Sequence, residues 1–199
     1  IAEIAVDSVD GFDVPFEKAM TLHPVTEAAR DYLAEVEVDG SALKHRYGCS
    51  GVDGITLGPE FGSASEEASH LYLAYGIYSD TLRCDNDYNI LLCYDLDDLS
   101  TPQHKYFIYT GNTRYGVQNL AYDPYTDRMY MAVYKGKKSQ FENYRRFAVD
   151  MRQNPYIGRL KGVPYQEDEV EQVDVCGGWH FKWGSTGLCP LGDGRYYIS

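Results

Sequence analysis

From residue 46 onward, the chain alternates between short apolar or aromatic runs and segments rich in Gly, Asp, Asn, Ser and Pro. Runs of this length, bounded by turn residues and rich in Tyr, Val, Ile and Leu, are typical of β-strands. The pattern predicts strands at VDGITLGP (52–59), LYLAYGIY (71–78), NILLCYDL (89–96), KYFIYT (105–110), VQNLAY (117–122), RMYMAVY (128–134), RRFAVDM (145–151), STGLCPL (185–191) and RYYIS (195–199).

Several of these runs are apolar or aromatic on both faces, as at Leu71–Tyr78 and Met129–Tyr134. Strands buried on both faces lack the alternation of a half-solvated sheet, and they need a covering layer on each side. No helical pattern separates the runs, so stacked sheets are the expected cover. We therefore predict an all-β protein in which residues 46–165 form two consecutive four-stranded antiparallel sheets packed face to face.

The first 45 residues are ambiguous. IAEIAV at the start is compatible with a strand. The stretch 26–36 places Ala29, Leu33 and Val36 on one helical face, with Thr26 as a candidate N-cap, yet residues 32–38 also alternate as a strand would. Both interpretations are open at this point.

A cation, a large aromatic residue and a glycine recur at a fixed interval of 68 residues along the chain. The three triplets are Arg46-Tyr47-Gly48, Arg114-Tyr115-Gly116 and Lys182-Trp183-Gly184, and each precedes one of the predicted strands. Self-similarity at a constant period is the sequence signature of a repeat architecture. Glycine after the aromatic residue favours a tight turn or a close approach of two backbones.

The pattern GVQNLAYDPYTDRMYMAVY resembles the innermost strand, turn and second strand of a β-propeller blade, and VDGITLGP, LYLAYG and STGLCPLGDGRYYIS are similar. The resemblance is to bacterial propeller proteins of unassigned activity, so it implies no catalytic residues. It implies one domain over residues 1–199 with repeats near 46–113, 114–181 and 182–199 plus 1–45. About three blades of four antiparallel strands result, fewer than a closed ring of four to eight needs. We expect the remainder to come from a longer chain or from a second copy in a homodimer.

Composition and charge narrow the class of partner. The chain carries a net charge of −12, which disfavours nucleic acid and anionic membranes as partners. Its 19 tyrosines suit strands and wet binding surfaces alike. The five cysteines have no dense disulfide spacing, and Cys93 lies in an apolar run where a buried thiol is expected. This favours a reducing compartment such as the cytoplasm, and secretion stays open because the chain begins at Ile1.

The resemblance would bring the three triplets together at one mouth of a central channel. Cations beside stacking surfaces would suit an anionic or carbohydrate-like ligand, whether a small molecule or a glycan. The predicted ligand-binding residues are Arg46, Tyr47, Asp53, Arg114, Tyr115, Gln118, Asn119, His180, Lys182 and Trp183. In an alternative interpretation, the triplets are structural, with their rings wedged between sheets. The alternative function is a propeller-fold hydrolase or lyase acting on sugars, with Asp53 and His180 as acid and base.

Two arrangements resemble metal sites. Asp85, Asp87 and Asn89 have the alternate spacing that opens a calcium loop, but the glycine and distal glutamate of an EF-hand are missing, and a polar hairpin loop fits as well. His45, Cys49, Cys176 and His180 offer zinc ligand types at spacings unlike the common pairs. We predict neither a metal nor a cofactor.

Overall fold

The computed structural model describes residues 1–5, 15–47, 51–63, 68–77, 82–165 and 168–199. Strands hold 47% of the chain and helices 7%, which confirms the all-β class. Two α-helices, α1 (Phe16–Ala19) and α2 (Thr26–Leu33), precede most of the strands. The strands are β1 (Ala2–Ile4), β2 (Met20–Leu22), β3 (Glu35–Val38), β4 (Ser41–Lys44), β5 (Gly54–Gly58), β6 (His70–Gly76), β7 (Tyr88–Asp95), β8 (His104–Tyr109), β9 (Thr113–Asp123), β10 (Arg128–Lys135), β11 (Arg146–Asp150), β12 (Tyr156–Gly158), β13 (Val170–Val173), β14 (Val175–Trp179), β15 (Leu188–Pro190) and β16 (Tyr196–Ile198).

Each strand predicted from residue 52 onward is confirmed by a strand that overlaps it. The ambiguous stretch near residue 30 contains both predicted elements in succession, because α2 ends at Leu33 and β3 begins at Glu35. The prediction of Thr26 as N-cap was wrong. Val25 occupies the cap position, no side chain caps the helix, and Thr26 is its first residue. None of the described helices is long and apolar enough to cross a membrane.

The strands from β5 onward form two main sheets and one hairpin. The four-stranded sheet has the order β14-β11-β10-β9 and is antiparallel throughout. The other sheet has the order β12-β13-β8-β7-β6-β5. Its β5–β8 part is the predicted four-stranded antiparallel meander, but β13 adds to β8 in parallel and β12 follows. The prediction of two four-stranded sheets within residues 46–165 was therefore wrong in part. The first sheet has six strands because a later segment returns to its edge, and the second takes its fourth strand from β14 (Val175–Trp179).

The main core lies between the two sheets. From the six-stranded sheet it takes alternate residues, among them Tyr72, Leu91, Cys93 and Tyr106, all at most 1% exposed. Met129, Met131, Val133, Phe147 and Val149 face them from β10 and β11. The burial of Cys93 confirms its prediction as a buried thiol.

A second core covers the other face of the six-stranded sheet. It contains the intervening residues of the same strands, together with Tyr47, Leu160 and Val163. Helix α2 packs here, where Lys105 Nζ contacts Asp31 at 2.7 Å and Glu27 at 3.0 Å. The strands are apolar on both faces because each face has its own core.

The two sheets come into close backbone contact at a pair of glycines. Gly116 has φ +71, and a Cβ placed on it would lie 2.5 Å from the backbone nitrogen of Gly76. No side chain fits there, so a residue larger than glycine would push β9 away from β6. Gly116 belongs to the second triplet, and its role agrees with the predicted close approach.

The chain crosses from one sheet to the other within a single residue. Asp174 separates β13 of the six-stranded sheet from β14 of the four-stranded sheet. The side chain of Gln153 accepts from the Asp174 amide at 2.7 Å and donates to its carbonyl at 3.0 Å. The crossing residue is thus held on both of its backbone polar groups.

The hairpin of β15 and β16 lies against the far face of the four-stranded sheet. Leu188 donates its backbone N–H to Asn119 Oδ1 at 3.2 Å, and the Tyr196 ring packs on Tyr130 at 5.8 Å between centroids. The hairpin is only two strands wide. It leaves a cavity over β10, β11 and β14.

Candidate ligand-binding site

The three sequence triplets share one local arrangement. In each, the cation lies over the ring of the residue that follows it, at 5.0 Å for Arg46 on Tyr47, 5.0 Å for Arg114 on Tyr115 and 4.5 Å for Lys182 on Trp183. The common spacing in the sequence therefore corresponds to a common cation–π pair.

The surroundings of the three pairs differ. Tyr47 is buried in the second core against Phe107, whereas Tyr115 packs on Tyr134, and Trp183, 51% exposed, packs on Phe181. Their convergence at one channel mouth stays a prediction.

The other predicted ligand-binding residues also differ in their local surroundings. Asp53 is exposed just before β5. Gln118 donates to the carbonyl of Tyr115 at 3.0 Å, and Asn119 holds the hairpin through Leu188. His180 lines the cavity under the hairpin.

The candidate calcium loop is a polar turn in which Asp85 and Asp87 each have a cationic partner. Arg83 donates from two nitrogens to Asp85, at 2.9 and 2.6 Å, and Lys138 donates to Asp87 at 2.6 Å. These cations occupy the carboxylate oxygens that calcium would need, which favours the hairpin-loop interpretation. Over the described ranges, no three His, Cys, Asp or Glu side chains are grouped so that they could hold a metal ion. Cys49, of the zinc arrangement, lies outside those ranges.

The cavity under the hairpin has a volume of about 310 Å³. Rings form most of its wall, with two aliphatic side chains and one cation. The lining residues are Tyr130, Arg146, Trp179, His180, Phe181, Leu188, Tyr196 and Ile198. A concave, mainly apolar space with a few polar groups is the usual form of a small-molecule site.

Arg146 is the unusual member of this wall. It is 6% exposed, and its Nη2 donates to the carbonyl of Thr186 at 3.1 Å. Its Nε and Nη1 are buried and have no hydrogen-bond partner among the described residues. Burial lowers the pKa of Arg146, but a guanidinium stays charged in proteins. The cavity thus holds a desolvated positive charge with two donor nitrogens unused.

The strand register explains why there is space beside Arg146. Trp179 lies directly opposite it on β14, and Ala132 lies opposite it on β10. In the next row across the sheet, Tyr130 is paired with Ala148 and Ala121. The small residues of these two rows form the base of the cavity, and the rings of Tyr130 and Trp179 form its sides.

Tyr130 and Tyr196 form one fixed corner of the cavity. The Tyr196 hydroxyl donates to Asp123 Oδ2 at 2.6 Å, and Asp123 is fully buried. Thr126 donates to the same carboxylate oxygen at 2.8 Å. The Tyr130 hydroxyl lies 3.3 Å from Thr126 Oγ1 and 3.4 Å from the Tyr196 hydroxyl. These contacts fix the rings through their polar ends and leave their faces for a ligand.

Of the residues predicted from the sequence, His180 alone is in the cavity lining. It is exposed, with Nε2 3.9 Å from Glu142 Oε2. Arg146, Tyr130, Trp179 and Tyr196 were missed. A signal for Arg146 was present, since RRFAVDM places a cation and Ala148 on one face of an otherwise apolar strand. The pairing of that strand with the Gly-Gly-Trp segment could not be read from the sequence.

Comparison with known proteins finds no family model, curated protein or solved structure that matches this chain.

Proposed function

We propose that this chain is a ligand-binding β protein and that its ligand carries a negative charge on a flat body. The observation that carries the proposal is Arg146, a buried guanidinium with unused donors in a cavity walled by rings. An uncompensated charge taken out of water costs several kcal/mol. An anion in the cavity would offset that cost through its negative charge, and a flat ring or sugar would stack on Trp179.

A thermal-shift experiment with matched charged and neutral compounds tests this function. The pairs are phenylacetate with phenylacetamide and glucuronate with glucose. We expect the charged member of at least one pair to raise the melting temperature, by about 5 °C at 100 times its Kd. Arg146→Met should abolish the shift, while Arg152→Met, at an exposed cation paired with Asp150, should keep it. If neither charged compound produces a shift that depends on Arg146, the proposal is wrong.

We also propose that the sheets are consecutive units of a propeller-like repeat. Strands β5, β9 and β15 each open a unit. β5 and β15 follow a triplet, whereas β9 contains one. They also pack in series: a Cβ on Gly54 would lie 3.0 Å from Val117 Cγ1, and Asn119 binds the Leu188 amide. Two copies, or further residues of a longer chain, would extend three such units towards a ring. Light scattering tests the first option, and a monodisperse monomer would contradict it.

The sugar hydrolase or lyase is less well supported. Asp53 is exposed at the start of β5, whereas His180 lies at the cavity with Glu142 as its ion-pair partner. Asp53 is not among the residues that line the cavity of His180, so binding is the function that the geometry favours.

A further inference from the structure

We infer that the ligand of the Arg146 cavity is an aromatic monocarboxylate, a small acid whose carboxylate is attached to a flat apolar ring. The inference rests on the proposed binding function and narrows its chemical class. It excludes sugar acids and aryl phosphates as the preferred ligands.

The charges around the cavity match one negative charge. Arg146 is the buried cation of the wall, and its single positive charge matches the single negative charge of a carboxylate. The other ionisable side chain near it, His180, does not add a second free positive charge, because it faces Glu142. A phosphate dianion would bring a second charge without a partner, which is costly in a desolvated site.

The polar groups of the wall do not match a sugar. Tyr196 already donates to Asp123, and the Tyr130 hydroxyl lies within hydrogen-bond distance of Thr126 and Tyr196. Leu188, Ile198 and Phe181 offer no side-chain hydrogen bonds. Ring hydroxyls of a sugar would lose water there without replacement, which weakens binding.

An aromatic ring fits the same walls. Trp179 is 42% exposed, so one face is open to a stacking partner. The Tyr130 and Trp179 rings lie 6.2 Å apart at 46°, and the Tyr130 and Tyr196 rings meet nearly at right angles. Rings prefer such offset and edge contacts with another ring. The volume of about 310 Å³ is at the small end for ligand pockets and suits one or two fused rings.

Tryptophan fluorescence tests the class directly. The chain has two tryptophans, so a Trp183→Phe background leaves Trp179 as the reporter inside the cavity. The probes are phenylacetate, phenylacetamide, phenyl phosphate and glucuronate. We expect phenylacetate to change the Trp179 emission saturably and to bind at least about tenfold more tightly than each of the others, since one charge-assisted contact is worth that factor.

The variants and probes together distinguish an error in the inferred ligand class from an error in the proposed binding function. Arg146→Met should remove phenylacetate binding, and Arg152→Met should not. Should Arg146→Met fail to fold, Arg146→Lys replaces it, because lysine keeps the charge without the planar fork and should weaken binding about tenfold. If phenyl phosphate or glucuronate binds instead, through Arg146, the inferred class is wrong and the binding function stands. If no probe binds, both are wrong.

Discussion

Tyr196 in the last strand donates its hydroxyl hydrogen to Asp123 at the end of β9, over 2.6 Å, and Asp123 is fully buried. A single contact therefore links the C-terminal hairpin to a carboxylate under the four-stranded sheet. Hydrogen bonds to a buried charged group are among the stronger ones in proteins.

Replacing Tyr196 by Phe should lower the free energy of unfolding by about 2 kcal/mol, because Asp123 loses one of its donors while staying buried. Urea unfolding measures the change. Tyr197→Phe is the matched control, since Tyr197 is the next residue and 71% exposed, and it should change stability by less than about 0.5 kcal/mol. Equal effects of the two changes would contradict the role of the contact.

The close approach of the two sheets predicts a large difference between two glycines with similar positive φ angles. Gly116→Ala should destabilise the protein by about 3 kcal/mol or more, because its Cβ meets the Gly76 backbone at 2.5 Å. At Gly162 the φ angle is +76, but a Cβ would have no other atom within 4 Å. Gly162→Ala should therefore lower the free energy of unfolding only by the conformational cost of about 1 kcal/mol. Denaturant unfolding of both variants measures the part of the destabilisation that comes from the Gly116–Gly76 contact. Similar losses of stability in the two variants would show that the sheets can separate freely.

Stability should fall at alkaline pH because buried tyrosines resist ionisation. Burial raises the pKa of Tyr88 and of Tyr94 from 10.0 to about 12. Below pH 10 both the folded and the unfolded chain keep these protons. Between pH 10 and pH 12 the unfolded chain loses them while the folded chain holds them, so the free energy of unfolding decreases with pH until the folded pKa is passed.

Tyr94→Phe tests this dependence at one site. The Tyr94 hydroxyl is buried and has no hydrogen-bond partner in the described part of the chain. Its removal should raise stability at pH 7 by about 1 kcal/mol and reduce the alkaline loss by about 2 kcal/mol. Tyr125→Phe, at a residue 65% exposed, should do neither. If Tyr94→Phe loses as much stability at alkaline pH as the unchanged protein does, the loss cannot be assigned to Tyr94.

Arg146→Met should raise the free energy of unfolding of the ligand-free protein, by about 1 kcal/mol or more. Replacing a buried unpaired charge by an apolar side chain of similar length removes a desolvation cost. Arg152→Met, whose guanidinium donates to the Asp150 carboxylate at 2.8 Å and is largely exposed, should be nearly neutral. Urea unfolding without ligand decides, and a strong destabilisation would contradict the desolvation cost assigned to Arg146.

The strands could be predicted from the sequence because residues buried on both faces form continuous apolar or aromatic runs, as at Leu71, Tyr72 and Leu73. The addition of β13 to β8 could not, because it pairs Gln172 with Phe107 across 65 residues and no local pattern specifies such a partner. The site was missed for the same reason. Arg146 and Trp179 become neighbours only through the β11–β14 pairing, whereas the triplets attract notice in the sequence because they repeat.

The single-residue crossing at Asp174 affects how the protein can open. Because β13 and β14 belong to different sheets and only Asp174 lies between them, neither strand can leave its sheet without pulling on the other. The crossing residue is in turn clamped by Gln153, which follows β11. The two sheets are thus joined at this edge as well as across their shared core. Their most protected amides should exchange with solvent through one common opening, so that both sheets behave as a single cooperative unit.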